Sequence, residues 1–512
     1  MAPPRSVAAR GSSGTKVHVA IDLGAGSGRA MLGRLGDDGL LLQEVHRFTY
    51  PPAERHGHLR WDVERIWAAI KDGLRAAQAA AKGQGAEISS VGVDSWAIDY
   101  GLLDAAGALV EEPACYRDLK RTALMEEVLE RVPRQDMFAR TGIQFLPINT
   151  VYQLYAHVKE GIPSGAARLL MMPDLFHARF ADTAQGEYTN ATTTQLLDAR
   201  TGRWDDDLFR SLGLPRELMP ELCRPGDSLG ILRPSLQAEL GLPPLSLIAP
   251  ATHDTGSAVA GTPLRPSWAY ISSGTWSLVG VERTKPLITP EVARASFTNE
   301  GGAFGTIRFL KNVMGLWILE SCRHEWAEKG LAADHGELLR AAAAFDQPQG
   351  VLFPDDPRFF NPPSMVAAVR AALVESGQPA PEDPPRLTRV ILDSLALRYA
   401  SVIGKFEQLT GTSIPGVHVV GGGSLNEYLN QATADAIGKP VLAGPVEATA
   451  VGNVLVQAIA SGEAASLGEA RDQLARQITL RKFEPRPASD AASSLRERYL
   501  ALERAGSDSR GA

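Results

Sequence analysis

Four short stretches of the chain carry residues suited to phosphate and proton chemistry. The first is Asp22-Leu23-Gly24-Ala25-Gly26-Ser27-Gly28-Arg29. A strand that ends in Asp and enters a glycine turn exposes backbone N–H groups, and without Cβ atoms the chain approaches a phosphate closely. Asp22 is a candidate holder of a hydrated cation, and Arg29 of phosphate oxygens. The turn lacks the Lys-Ser/Thr of a Walker A loop, and it leads into a strand, unlike a dinucleotide fingerprint. The second stretch, Ser272-Ser273-Gly274-Thr275-Trp276-Ser277, places small hydroxyl residues around another glycine turn. The third, Gly421-Gly422-Gly423-Ser424, follows an apolar strand and lets a flat purine or ribose lie against the backbone. In the fourth, Thr252-His253-Asp254-Thr255-Gly256, a carboxylate on a cleft loop would take a proton from an attacking hydroxyl. Taken singly, each also reads as a plain turn or a surface Asp beside a lone His.

Amide and hydroxyl residues cluster in residues 141–150, with Gln144 and Asn149, and in Thr189-Asn190-Ala191-Thr192-Thr193-Thr194-Gln195. Such groups read sugar hydroxyls, and they equally cap helices and pin turns. Asp94-Ser95-Trp96 and Tyr116-Arg117-Asp118 are of the same kind.

The elements that must position these residues follow from periodicity. Val17, Val19 and Ile21 alternate with polar or small residues, which predicts a strand into the first turn. Residues 29–35 and 40–48 read as the next two strands. Val63, Ile66, Trp67, Ile70 and Leu74 mark a helix that Asp62 caps, and 88–94 is a further strand. A similar order returns in the second half: strands at 268–272 and 276–281, a helical stripe of Leu392, Leu395, Tyr399, Val402 and Phe406, and a strand at 417–420. A helix from Leu425, a strand at 440–443 and a helix from Glu447 follow. The repeated order predicts two related α/β domains with a break near 257–266, where Gly256, Gly261, Pro263 and Pro266 gather. Residues 113–227 are less regular and read as an elaboration of the first domain.

Bulk composition bounds the function. The 512 residues are 44% hydrophobic and 22% charged, with a net charge of -7, and they contain no dense basic block. That argues against a nucleic-acid partner. Cys115, Cys223 and Cys322 lie too far apart for a metal or disulfide framework and read as reduced thiols. No apolar run reaches the ~18–20 residues that span a bilayer, and the first 14 residues have no signal-peptide character. The expectation is a cytoplasmic protein without membrane or nucleic-acid partners, a monomer with a dimer as the alternative.

Together the stretches at 22–29, 94–99, 141–150, 189–196, 252–258 and 310–317 resemble the FGGY carbohydrate kinases, in the superfamily of actin, Hsp70 and hexokinase. The resemblance runs over about residues 17–485. It implies two ribonuclease H-like (actin-like ATPase) domains of α/β class with an interdomain cleft. Residues 16–257 would be the N-terminal domain with the sugar site and first phosphate turn, and 258–485 the C-terminal, nucleotide-binding domain. Residues 1–15 would be a flexible tail, and 486–512 a helix followed by a tail from Gly506. The implied substrates are a small sugar and ATP with Mg²⁺. The two polar stretches narrow the sugar to L-rhamnulose, phosphorylated at O1, with L-fuculose or L-xylulose as alternatives. An ATPase of actin or Hsp70 type is a more distant one. Ala25, Gly26, Ser27, Gly28 and Arg29 would line the ATP phosphates, with Thr275 opposite, Gly422 near the adenosine, and Asp22 holding the metal through water. His253, Asp254, Thr255 and Asn312 would contact the sugar, with Asp254 as the base. Two positions depart from the family pattern: Ala97 stands where a Gly approaches the sugar, and Glu320 where a Gln lies near the nucleotide.

Overall fold

A computed structural model describes residues 15–508 apart from 37–38, 119, 121–122 and 332–333. The predicted tail at 1–14 lies outside the described residues, as do 509–512. The tail expected from Gly506 is instead helical as far as the description goes, because the helix Asp490–Asp508 continues through it and Gly506 sits against Phe353.

The first half builds one sheet from β1 (Thr15–Leu23), β2 (Ser27–Gly36), β3 (Gly39–Thr49), β4 (Ala86–Ser95), β5 (Ser228–Ile231) and β6 (Ser246–Ile248), in the order β5-β6-β4-β1-β2-β3. The first three strands pair antiparallel, while β4 runs parallel to β1 and β6 parallel to β4. Helix α1 (Val63–Gly83) covers one face. Asp62 accepts the Arg65 N–H at its start, and Val63, Ile66, Ile70 and Leu74 bury the predicted stripe. Each such aliphatic side chain contributes about 1.5–3 kcal/mol on full burial.

After the short helix α2 (Asp254–Ala260) the plan repeats. Strands β7 (Ala269–Ser273), β8 (Trp276–Arg283), β9 (Thr298–Gly301), β10 (Ile307–Met314), β11 (Val417–Val420), β12 (Val441–Ala443) and β13 (Arg481–Phe483) lie in the order β9-β10-β8-β7-β11-β12-β13. Again a strand pair turns antiparallel, and the strand that follows the long helix α3 (Pro384–Thr410) pairs parallel to the first. Asp383 caps α3, Pro384 opens it, and a left-handed Gly411 ends it. The helix expected from Leu425 starts later. A 3-10 turn at Gly422–Leu425 intervenes, and Asn426 caps Glu427–Ile437 by accepting the Leu429 N–H. Residues 113–227 contribute helices such as Arg134–Thr141 and Thr150–Glu160, packed around a separate cluster with Tyr152, Leu196 and Phe209 at its centre.

The two halves meet where α2 crosses helix α4 (Ala448–Ala460). A methyl at Gly452 would lie 1.8 Å from the Ser257 carbonyl oxygen, so the helices touch backbone to backbone, and only glycine fits. Helix α4 also lies on the first sheet. Gln457 donates to the Val19 carbonyl at 3.0 Å, and Asn453 donates to the Gly92 carbonyl at 3.2 Å.

Candidate active site

Both halves open onto one cleft, a cavity of about 330 Å³. From the first half it is lined by Asp22, Ala25, Arg29, Ala97, His253, Asp254 and Thr255. From the second it is lined by Thr275, Asn312 and Gly422. These ten predicted residues, separated by up to 400 positions in the chain, therefore converge on one space. Gly26, Ser27, Gly28 and Glu320 stand outside that lining. Gly28 is buried against Phe48, where a methyl would come within 2.7 Å. Glu320 pairs with Arg323 at 2.5 Å and His335 at 3.3 Å. A larger cavity of about 640 Å³ lies between α3 and the C-terminal helix, away from all of these residues.

The first turn is held from within. Gly24 N–H donates to the Ser27 carbonyl and Gly26 N–H to the Gly24 carbonyl, both at 2.8 Å, and the Tyr50 hydroxyl donates to the Gly24 carbonyl at 2.7 Å. Two of the turn's amides are thus engaged internally. Arg29 Nε donates to Asp22 at 2.9 Å, and Arg29 also pairs with Glu447. Burial lifts the Asp22 carboxyl above its usual range; Arg29 opposes this, while Asp254 and Glu447 add to it by repulsion. Asp94, fully buried, is lifted well above its range by burial and then by Asp22, against the pull of the Asn453 amide at 2.5 Å. Its other oxygen has no hydrogen-bond partner among the described residues. The cleft lining therefore sets the carboxyl groups of Asp22, Asp254 and Glu300 against one arginine, Arg29.

Asp254 opens α2. One carboxylate oxygen accepts the Thr255 N–H at 2.5 Å and the Thr255 hydroxyl at 3.2 Å. Its side chain is 32% exposed, against 5% for Asp22, so of the two it is the one a substrate can reach. The preceding loop is anchored by the buried Glu187, which accepts the Thr252 N–H at 3.0 Å and hydroxyl at 2.8 Å, and the Thr189 N–H at 2.9 Å. Burial pushes the Glu187 carboxyl up to about 7 against those donors.

Of the two readings of the threonine-rich stretch, its hydroxyls follow the one that pins turns. Thr192, Thr193 and Thr194 each donate to the carbonyl three residues back, and Gln195 accepts from Asn149 and Tyr152. Of the residues in 189–195, only Thr193 lines the cleft. The stretch is a scaffold for the 252–254 loop. Residues 141–150 reach the cleft more fully, through Ile143, Gln144, Leu146, Ile148 and Asn149. Gln144 ties the halves together, its side-chain Oε1 accepting the Asn312 backbone N–H at 3.0 Å. Ile98 has a positive φ of 69°, strained for a β-branched residue, and is held by Thr150 donating to its carbonyl at 2.8 Å. Beside it, Asp99 accepts the indole N–H of Trp96 at 2.9 Å and of Trp61 at 2.7 Å, which fixes Trp96 against the cleft.

The sequence reading missed Glu300, which lines the cleft, and Arg308 and Glu447. No local signal marked Glu300: the polar residues of Thr298-Asn299-Glu300-Gly301 read as a loop, although all four are buried.

Two related sheets of this topology facing one polar, carboxylate-rich cleft form a two-domain α/β architecture. Residues 17–261 match the N-terminal domain of the FGGY family of carbohydrate kinases, and residues 269–461 match its C-terminal domain. The chain belongs to this family and is a carbohydrate kinase. It is 41% identical over 478 residues to a rhamnulokinase of Bacteroides thetaiotaomicron, covering 92% of this chain and 97% of the relative. To a rhamnulokinase of Pectobacterium carotovorum it is 43% identical over 491 residues, covering 94% and 96%. Among solved structures, a ligand-bound xylulose kinase from Lactobacillus acidophilus superposes with a TM-score of 0.76 at 15% identity, covering 96% and 97%. Plasmodium falciparum glycerol kinase with ADP gives 0.75 at 14%, covering 96% and 98%. These two share the fold.

Proposed function

We propose that this chain transfers the terminal phosphoryl group of ATP to O1 of L-rhamnulose, giving L-rhamnulose 1-phosphate and ADP. The observation that carries this reading is the placement of Asp254. It is a reachable carboxylate between the turn at 22–29 and the turn at 273–275, in a chain about 40% identical to rhamnulokinases. Its role is to accept the proton of the attacking hydroxyl, worth typically ~10²–10⁴-fold in rate. Phosphoryl transfer otherwise depends on alignment and charge. Ala25 and Arg29 face the phosphates from one side and Thr275 from the other, while Gly422 lies against the nucleoside. His253, Thr255 and Asn312 hold the sugar. Ile98, Ile143, Leu146 and Ile148 give the cleft an apolar wall, which suits the methyl group of a deoxysugar. Ala97 adds a methyl to the same pocket.

The site also suits Mg²⁺. Among the described residues no three acidic, His or Cys side chains gather as a closed cage, yet Asp22, Asp94 and Asp254 repel one another. Mg²⁺ keeps most of its water and is held by one or two carboxylates plus phosphates. Asp22, through water, would hold it, and the ion would offset charge on the terminal phosphates. An ATP-dependent reaction fits a cytoplasmic protein.

A panel of L-rhamnulose, L-fuculose, L-xylulose and D-xylulose, read by coupled ADP release, tests the substrate. Preference for L-rhamnulose is expected. Equal rates on all four would overturn the sugar while leaving the kinase class intact.

A further inference from the structure

The neighbour of the proposed base is gripped from the other half of the molecule. Arg308, fully buried on β10, brings Nη2 to 2.9 Å from His253 Nδ1. The same guanidinium donates from Nε to the Gly301 carbonyl at 2.8 Å and stands 3.2 Å from Glu300. Glu300 lies 3.4 Å from His253 Nδ1, farther than the arginine. Burial works against the charged form of Glu300, yet its carboxyl is held below the usual range, with the Arg308 guanidinium the largest opposing influence.

A guanidinium has five N–H donors and no acceptor, and it does not lose its proton in proteins. The ring atom it meets at hydrogen-bond distance must therefore offer a lone pair. We propose that Arg308, held by Glu300, fixes His253 as the neutral tautomer with its proton on Nε2. His253 then serves the sugar as a hydrogen-bond donor and not as a second base. Nε2 is the ring atom on the Asp254 side, 3.4 Å from that carboxylate, which is too long for a strong direct bond. A sugar hydroxyl oxygen placed there would accept from Nε2–H while the proton of the attacking hydroxyl goes to Asp254. Arg308 and Glu300 are thus positioning residues, and they come from the second half. The sugar site is complete only when β9 and β10 sit against the 252–254 loop.

The role toward the sugar rests on the kinase reading above; the tautomer does not. The first experiment is therefore ¹⁵N NMR of the full chain labelled at histidine, at neutral pH without ligands, with His253→Asn used to assign the signal among the ten histidines. The expected spectrum shows Nε2 protonated and Nδ1 unprotonated. An Nδ1–H tautomer or an imidazolium would overturn the proposal. The second experiment is kinetic. Arg308→Met should raise the KM for L-rhamnulose by about 10–100-fold, the loss of one charge-assisted hydrogen bond, with the KM for ATP unchanged. Arg308→Lys, which still donates, should recover most of that loss. Parallel changes in both KM values, or a Lys variant as impaired as Met, would reduce Arg308 to a structural residue and also overturn the proposal. If the Met variant does not fold, the spectrum of the unaltered protein decides. A protein that shows the Nε2–H tautomer but ignores L-rhamnulose defeats the substrate reading alone.

Discussion

The hairpin turns of the two halves occupy the same place in equivalent sheets, but their chemistry differs. In the first, Asp22 stands across the ladder from Arg29, and the two form an ion pair. In the second, the corresponding cross-strand pair is Ser272 and Leu278. The second turn is instead stitched to its own half, with Gly315 and Trp317 donating to the Thr275 carbonyl and Ser277 bonded to Tyr399 at 2.7 Å. A duplicated scaffold thus supplies two approaches to one ligand, with charge on one side and neutral hydroxyls on the other. Two anionic walls would repel a triphosphate, and two cationic ones would hold the product; the asymmetry avoids both.

Substitutions test that division, starting with the group both turns serve. Asp254→Asn should lower kcat by about 10²–10⁴-fold while the KM for sugar stays within a few-fold, measured by steady-state ADP release. Arg29→Met removes the one cation of the charged turn and should raise the KM for ATP by about 10–100-fold, the range for a charge-assisted hydrogen bond. Asp94→Asn probes the same turn through stability. A carboxyl lifted by folding stabilises the native state fully below its unfolded value, 3.8 for Asp94, and that contribution is lost as pH rises through the lifted value. The amide should therefore raise Tm at neutral and alkaline pH and flatten its fall above about pH 4 in a thermal-shift series. On the neutral side, Thr275→Val should raise the KM for ATP only about 2–10-fold, one uncharged hydrogen bond. Equal losses for Arg29→Met and Thr275→Val would break the comparison. Ala97→Gly, which trims a methyl from the sugar pocket, should change the L-rhamnulose KM by about four-fold at most, since one buried methylene is worth about 0.8 kcal/mol.

Most of this frame was legible in the sequence wherever a strand or helix buries one face. The stripe from Val63 to Leu74 is a direct image of packing, while the alternation at Val17, Val19 and Ile21 separates an aliphatic face from one of small and polar residues, both buried, the second against α4. Strands β9 and β10 were not legible in the same way. All four residues of β9 are buried, including Asn299 and Glu300, so alternation vanishes and the polar letters read as loop. Arg308, fully buried in a strand, has no local signature, because its partners lie 55 residues away in His253 and on the neighbouring strand. The glycine turns announced a site, yet their composition did not reveal that Tyr50 and internal bonds hold the first one shut. The threonine run looked like a sugar reader because hydroxyls that bond their own backbone look the same in sequence as hydroxyls that face a ligand.

The crossing of α2 and α4 has a mechanical consequence. Backbone contact at Gly452 and Ser257 leaves no side chain to compress, so the joint resists sliding and still permits rotation, as a fulcrum does. Asp254 opens α2 three residues before Ser257, so it lies beside this joint. The turns at Ala25 and Thr275 belong to the sheets themselves. A methyl inserted at Gly452 would act as a shim: it would force the two helices apart at the joint and shift Asp254, which rides on α2, relative to the two turns it faces.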